Sequence, residues 1–149
     1  MVGGAGTIYT TKGFEMLSGR YRAVNFPGAY VYGFAAGINN AGTVIGTADA
    51  CSYIYKNGQF KNIDVPGANR TAALGINDSG IVAGWYFSTS CNCSFVYKNG
   101  KFLSFSYPGA VFTAAAGINA SGQIVGEYTF DYQTYHGFLT SPITQADFR

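Results

Sequence analysis

Three short motifs recur in the same order along this chain at intervals of about 40 residues, which predicts a tandem repeat. Pro-Gly-Ala occurs at 27–29, 66–68 and 108–110, Gly-Ile-Asn at 37–39, 75–77 and 117–119, and a later glycine at Gly46, Gly84 and Gly126. All three anchors keep one register, and 149 residues leave room for one ordinary domain, so we interpret 1–149 as a single domain. Its repeats span approximately 13–50, 52–92 and 94–135, with a partial repeat at 136–149.

Each repeat is interpreted as four short strands, A to D. Strand A opens on an aromatic residue: Phe14, Tyr53, Phe95 and Phe138. Asn-Gly follows at 57–58 and 99–100, and this dipeptide between apolar runs is a strong hairpin signal. Strand B places apolar residues at steps of three and then two, as in Phe60, Ile63 and Val65, which predicts a β-bulge in that strand.

Strand C is rich in alanine and ends in Gly-Ile-Asn, which predicts a close approach of backbones. The tetrapeptides at 39–42, 77–80 and 119–122 predict a second turn, in which the Asn side chain bonds its own backbone and the Gly is left-handed. Strand D follows. We expect the two hairpins to join through Pro-Gly-Ala into one four-stranded meander.

Composition favours the same all-β class. The chain contains 21 Gly, 12 Tyr and 12 Phe, and charged residues are only 11%. Aromatic and glycine-rich sequences suit pleated strands joined by tight turns, and no segment shows a long amphipathic helical pattern.

Four-stranded units of about 40 residues are typical of propeller blades. The pattern also resembles the HAF-type extracellular repeat family: 60–68 matches its Phe-x-x-Ile-Asp-x-Pro-Gly-Ala segment, and His136-Gly137-Phe138 resembles its His-Ala-Phe segment. Cys51-Ser52-Tyr53 and Cys93-Ser94-Phe95 occupy the same place in other repeats. The resemblance covers roughly 13–140 and implies a propeller-like fold and a surface location, without an established activity.

Closed propellers usually have at least four blades, and this chain has three full repeats plus partial terminal strands. Gly6-Thr7-Ile8-Tyr9 as a strand D, together with strands A and B from 137–149, would supply a fourth blade and close the ring. Alternatively, several chains complete one ring. The β-trefoil, which also has three four-stranded units, is the alternative fold.

Charge and hydropathy exclude two classes of partner. The net charge is +2 and the basic residues are scattered, so we expect no nucleic-acid binding. No apolar run reaches the roughly 18 residues of a membrane-spanning helix. The start of the sequence shows no leader, and the low charge favours an extracellular or cell-surface protein.

Five residues are candidates for ligand binding because they combine aromatic rings and polar groups at strand ends or in the longest loop: Trp85, Asp131, Tyr132, Tyr135 and His136. The alignment of Trp85 with Thr47 and Glu127 favours an exposed position for it. Such residues stack on sugar rings or dock a protein partner.

We predict that the chain is not an enzyme. It has one histidine, and no nucleophile context surrounds it. Glu127 and Asp131 form the best available carboxylate pair for a glycoside hydrolase, the least favoured function.

The three cysteines indicate a disulfide between Cys51 and either Cys91 or Cys93. Cys51, Cys93 and His136 align at one repeat position and would converge on zinc only around a close three-fold axis. We therefore predict neither metal nor cofactor.

These patterns favour a non-enzymatic extracellular repeat module for protein interaction or self-assembly, with a homo-oligomer or another extracellular protein as partner. The alternative is a lectin-like carbohydrate-binding domain with a glycan as ligand.

Overall fold

The computed structural model of the chain describes residues 1–7, 10–28 and 32–149. Ile8 and Tyr9 of the predicted terminal strand, and Ala29 of the first Pro-Gly-Ala motif, lie outside the described residues.

The described residues form β-strands and one short 3-10 helix, Gln145–Phe148, so the predicted all-β class is confirmed. The strands make four antiparallel sheets in which each strand pairs with its neighbours in sequence. The first sheet contains β1 (Val2–Thr7), β2 (Thr10–Leu17) and β3 (Arg20–Val24). The second contains β4 (Gly33–Ile38), β5 (Val44–Ala48), β6 (Cys51–Lys56) and β7 (Gln59–Asn62). The third contains β8 (Arg70–Ile76), β9 (Val82–Phe87), β10 (Asn92–Lys98) and β11 (Lys101–Phe105). The fourth contains β12 (Phe112–Ile118), β13 (Ile124–Thr129) and β14 (Tyr135–Leu139).

The sheets and the sequence repeats are out of phase. Each four-stranded sheet takes strands C and D from one repeat and strands A and B from the next. The Pro-Gly turns therefore connect successive sheets, and the predicted meander joined through Pro-Gly-Ala is wrong. Proline has no N–H for the ladder, and the following glycine has a positive φ (85° at Gly28, 77° at Gly67), so the chain leaves the sheet there.

Both predicted types of turn are confirmed. Asn57-Gly58 and Asn99-Gly100 have positive φ at both positions, as a type I′ hairpin turn requires. In the second type, the Asn77 side-chain Oδ1 accepts the backbone N–H of Ile81 at 3.0 Å, and Gly80 has a φ of 75°.

The β-bulge lies in strand C instead of strand B. The register shifts between Ala73 and Gly75 in β8, and at the equivalent places in β4 and β12. Strand B keeps a regular register and ends early, as in β7 at Asn62. Ile63 and Val65 lie beyond the end of β7, where they are buried without a bulge.

Successive sheets pack face to face through the first strand of the following sheet. β8 packs on β4, β5 and β6, and β12 packs in the same way on β8, β9 and β10. The backbones approach closely, as predicted: a Cβ on Gly75 would lie 3.0 Å from the Cα of Gly117. The first and fourth sheets do not pack extensively on each other in the described part of the chain.

Serine hydroxyls bridge these interfaces. The buried Ser52 Oγ donates to the carbonyl of Thr71 at 2.9 Å and accepts the N–H of Ala73 at 2.8 Å. Ser94 Oγ likewise donates to the carbonyl of Thr113 at 3.1 Å. In both cases, a serine hydroxyl in strand A is the hydrogen-bond partner of backbone groups in the next sheet.

The predicted fourth blade made from both chain ends is wrong. β1 belongs to the first sheet and β14 to the fourth, so each end sheet has three strands in the described residues. No Asn-Gly turn follows β14, and Pro142 lacks the N–H that a strand B would need there. The C-terminal tail after β14 instead turns back toward the turn before β13, where the N–H of Ile143 donates to the carbonyl of Gly122 at 2.9 Å.

No helix within the described residues is long and apolar enough to cross a bilayer.

Candidate functional site

Trp85 lies in β9 on the face of the third sheet that packs toward the fourth. It is half-buried, with its ring centroid 4.7 Å from that of Phe87 and 6.1 Å from that of Phe112. The Arg70 guanidinium lies 5.5 Å from its ring centroid, within cation–π distance. Trp85 is therefore not the freely exposed contact that we predicted, because neighbouring side chains cover much of its ring.

The accessible part of Trp85 lines a groove of about 500 Å³, here called the Trp85 groove. Phe112, Val125 and Glu127 also line it, together with the bulge residues Leu74 and Ala116. Its walls are mostly apolar, and Glu127 supplies one carboxylate. This surface can bind an apolar side chain or the face of a sugar ring.

Asp131 holds together the loop after β13. Its Oδ1 accepts the backbone N–H groups of Gln133 and Thr134, both at 2.8 Å, and the hydroxyl of Thr129 at 3.1 Å. The amides of Thr134 and Gln133 hold the pKa of the Asp131 carboxyl below its ordinary value. The carboxylate is thus committed to its own loop, and its lowered pKa is the opposite of what a general acid needs.

Tyr132 links this loop to the third sheet. Its hydroxyl donates to the carbonyl of Val111 at 3.2 Å and accepts a hydrogen bond from Asn92 Nδ2 at 2.8 Å. Tyr132 also lines a polar groove of about 480 Å³ whose walls include Ser88 and Ser106. Of the five predicted ligand-binding residues, Tyr132 is the one that lines this polar groove.

The side chains of Tyr135 and His136 do not share one binding surface, because neighbouring residues of β14 point to opposite faces of the sheet. Tyr135 is exposed opposite Thr129, whereas His136 stacks on Tyr128 with ring centroids 5.2 Å apart. The structure therefore distributes the five predicted residues over several surfaces instead of one pocket.

An exposed aromatic cluster was missed in the sequence. Tyr107 and Tyr128 stack in parallel with ring centroids 3.7 Å apart, and Phe130 contacts both of them edge-on. The hydrogen bond with Tyr107 is the main cause of a raised pKa for Tyr128. A signal for this cluster was available, since Tyr107 replaces Val65 and Phe26 at an otherwise aliphatic or phenyl position.

The cysteines pair differently from the prediction. Cys91 and Cys93 form a disulfide, with Cα atoms 5.4 Å apart, and Cys51 is free. Strands β8 and β9 separate β6, which carries Cys51, from β10. Burial is the main cause of a raised pKa for the Cys51 thiol, which keeps it protonated at neutral pH.

Two other arrangements considered from the sequence are not assembled. Cys51, Cys93 and His136 lie in three different sheets, and the described residues contain no cluster suited to a metal. Glu127 is exposed on one face of β13, while Asp131 is engaged by its loop. This leaves Glu127 without a second free carboxylate from that pair.

Comparison of the chain with models of known protein families and with curated protein sequences gave no match. The resemblance to the HAF-type repeat therefore depends on the motif residues alone.

Proposed function

We propose that this chain is a non-enzymatic repeat module that associates with further copies of itself, end to end, through the two outer faces of its series of sheets. We also propose that the sheets are arranged as propeller-like blades, because the C strands of the second, third and fourth sheets (β4, β8 and β12) pack on one another in succession, as blades converging on an axis do. The low content of charged residues supports an extracellular or cell-surface setting.

The observation that carries the proposal is the uncovered face of the fourth sheet. Residues Val125 and Leu139 form a cross-strand pair on this face. They are 50% and 64% exposed. The equivalent pair in the third sheet, Ala83 and Val96, is buried beneath the fourth sheet. We call the surface around Val125, Glu127 and Leu139 the end face.

The first sheet presents the complementary half of the same kind of interface. Phe60 and Phe102 pack into the cores formed with the preceding sheets. Their equivalent in the first sheet, Tyr21, is 71% exposed and contacts Phe14 edge-on at 5.6 Å between ring centroids. The first sheet of one copy therefore has aromatic rings that can pack on the end face of another copy, in the place where a following sheet would pack.

Contact between these two faces is head-to-tail, since different surfaces of the two copies meet. Such an interface gives a ring if the rotation closes and a filament if it does not. Burying an aliphatic side chain that is half to two-thirds exposed contributes about 1 kcal/mol, so Val125 and Leu139 together favour association.

Replacing both Val125 and Leu139 by aspartate is expected to weaken self-association by roughly 100-fold, because two carboxylates would be buried in an apolar interface. Sedimentation velocity over a concentration series measures the change, with reductant present so that Cys51 cannot crosslink copies. The wild-type mass is expected to rise with concentration, and the double variant is expected to remain monomeric.

Val111→Asp is the matched control, because Val111 is similarly exposed but lies in the β11–β12 connection and is not one of the residues that define the end face. It is expected to associate like the wild type. A wild-type chain that stays monomeric throughout, or a double variant that associates as the wild type does, would show that the end face is not an interface.

Carbohydrate binding in the Trp85 groove is a second candidate function. The rings of Trp85 and Phe112, beside the carboxylate of Glu127, offer a stacking surface and a hydrogen-bond acceptor for sugar hydroxyls. Glu127→Gln, an exposed substitution, is expected to weaken saturable glycan binding on an array by about tenfold. A wild-type chain that binds no glycan excludes this candidate.

A further inference from the structure

The C-terminal tail builds a basic groove against the turn between β10 and β11. The groove has a volume of about 300 Å³ and is called the tail groove here. It is lined by Lys98, Asn99, Lys101, Gln145, Phe148 and Arg149. None of these side chains carries a carboxylate, whereas three of them are cationic.

Lys98 is the unusual member of the groove. It is only 8% exposed, although its equivalent in the second sheet, Lys56, is exposed. The tail causes the difference, because Phe148 of the 3-10 helix packs into the core beside β10 and β11 and Gln145 lies over the lysine. A side chain that is solvated in one repeat is thus enclosed in the next.

The ammonium of Lys98 is only partly satisfied by the protein. Within the described residues it donates to one acceptor, Gln145 Oε1, at 3.1 Å, and an ammonium has three donors. Enclosing a cation is costly unless it is paired with an anion and fully hydrogen-bonded. Two donors of a buried cation are therefore available to a ligand.

Neighbouring cationic side chains add to the positive charge around Lys98. Lys101 lies directly opposite Lys98 in the β10–β11 pair, and Arg149 also lines the groove. The carboxylate of Asp147 accepts the N–H and hydroxyl of Thr144 at the start of the helix, so it caps the helix. Lys98 also lines a smaller groove beyond Gln145, which contains no further cation.

We propose that the tail groove binds a phosphate or sulfate group. A buried ammonium, a second lysine and an arginine around one small groove provide the charge-assisted donors that a tetrahedral oxyanion requires. Arg149 contributes paired donors in a planar fork, and Lys98 contributes a fixed point charge. The association proposed above uses other surfaces, so either proposal can fail without the other.

The test is a titration of the ¹⁵N-labelled chain with inorganic phosphate and, separately, with sulfate, with chloride at matched ionic strength as the reference. Saturable shifts of the amides of Asn99, Lys101 and Gln145 are expected. Lys98→Met keeps the aliphatic stem and removes the charge, and it is expected to weaken binding by roughly tenfold. Lys56→Met is the matched control, since Lys56 is the equivalent lysine without a tail, and it is expected to bind like the wild type.

The proposal is overturned if the wild type shows no saturable shifts up to about 50 mM of either anion, a range that covers weak binding. It is also overturned if Lys98→Met binds as the wild type does. If Lys98→Met does not fold, Lys101→Gln replaces it, because Lys101 is exposed. A loss of about threefold or more in affinity then supports the site, and unchanged affinity rejects it. A difference between the phosphate and sulfate titrations identifies which anion the groove prefers.

Discussion

Replacement of Gly84 by alanine is expected to lower the free energy of unfolding by about 3 kcal/mol, because the added methyl group has no space. A Cβ at this position would collide with the carbonyl oxygen of Ala72 and would lie 2.9 Å from Cε1 of Phe95. Phe95 is the cross-strand partner of Gly84, and its buried ring lies over the glycine. Equilibrium urea unfolding measures the change.

Gly137→Ala is the control for this substitution. Gly137 is also a strand glycine, but a Cβ there would lie 3.9 Å from the carbonyl oxygen of Gly126, an ordinary van der Waals distance. Its substitution is expected to be neutral or to stabilise the chain by up to about 1 kcal/mol, through the lower entropy of the unfolded chain. A loss of less than about 1 kcal/mol for Gly84→Ala would contradict the close approach at Gly84.

Replacement of Asn77 by alanine is expected to cost about 2 kcal/mol, since it removes a bond within one sheet and another between two sheets. The buried Asn77 side chain accepts the N–H of Ile81 and donates through Nδ2 to the carbonyl of Asn119 at 3.2 Å. Without it, the buried N–H of Ile81 has no partner in the turn. Urea unfolding again measures the change.

Asn119→Ala provides the comparison, because Asn119 occupies the same turn in the fourth sheet, which no further sheet follows in the described residues. Its Oδ1 accepts the N–H of Gln123 at 2.9 Å and its Nδ2 turns to Gln123 Oε1 at 3.0 Å, both at an exposed site. Water replaces these bonds, so the expected cost is below about 1 kcal/mol. Equal costs for Asn77→Ala and Asn119→Ala would mean that the bond between sheets contributes nothing.

Local features of the fold were predictable because short-range chemistry determines them. Asn57-Gly58 and Asn77-Asp78-Ser79-Gly80 specify their turns whatever surrounds them. The assignment of strands to sheets was not predictable in this way. From sequence alone, the strands before and after Pro66-Gly67 are as able to pair with each other as to belong to two different sheets. The bulge was placed in the wrong strand because burial of Ile63 was attributed to a strand that in fact ends at Asn62.

The candidate sites depend still more on contacts distant in sequence. Lys56 and Lys98 occupy equivalent places in nearly identical segments, and only the position of the tail makes one of them buried. Asp131 was predicted to bind a ligand, whereas its carboxylate accepts hydrogen bonds from its own loop, an Asx-type turn that the sequence analysis did not identify. Trp85 was predicted to be an exposed contact. The prediction failed because Arg70 and Phe112, which cover its ring, come from two other strands.

The offset between repeats and sheets also has an evolutionary consequence. A tandem duplication of one repeat joins the end of one copy to the start of the next in the same register, so the sheet at the new junction is complete wherever the breakpoints fall. Unequal recombination can therefore lengthen or shorten such a chain without creating a new type of interface. A single repeat cut out by itself would, by contrast, leave its two hairpins in different half-sheets, so two successive repeats are needed to complete one four-stranded sheet.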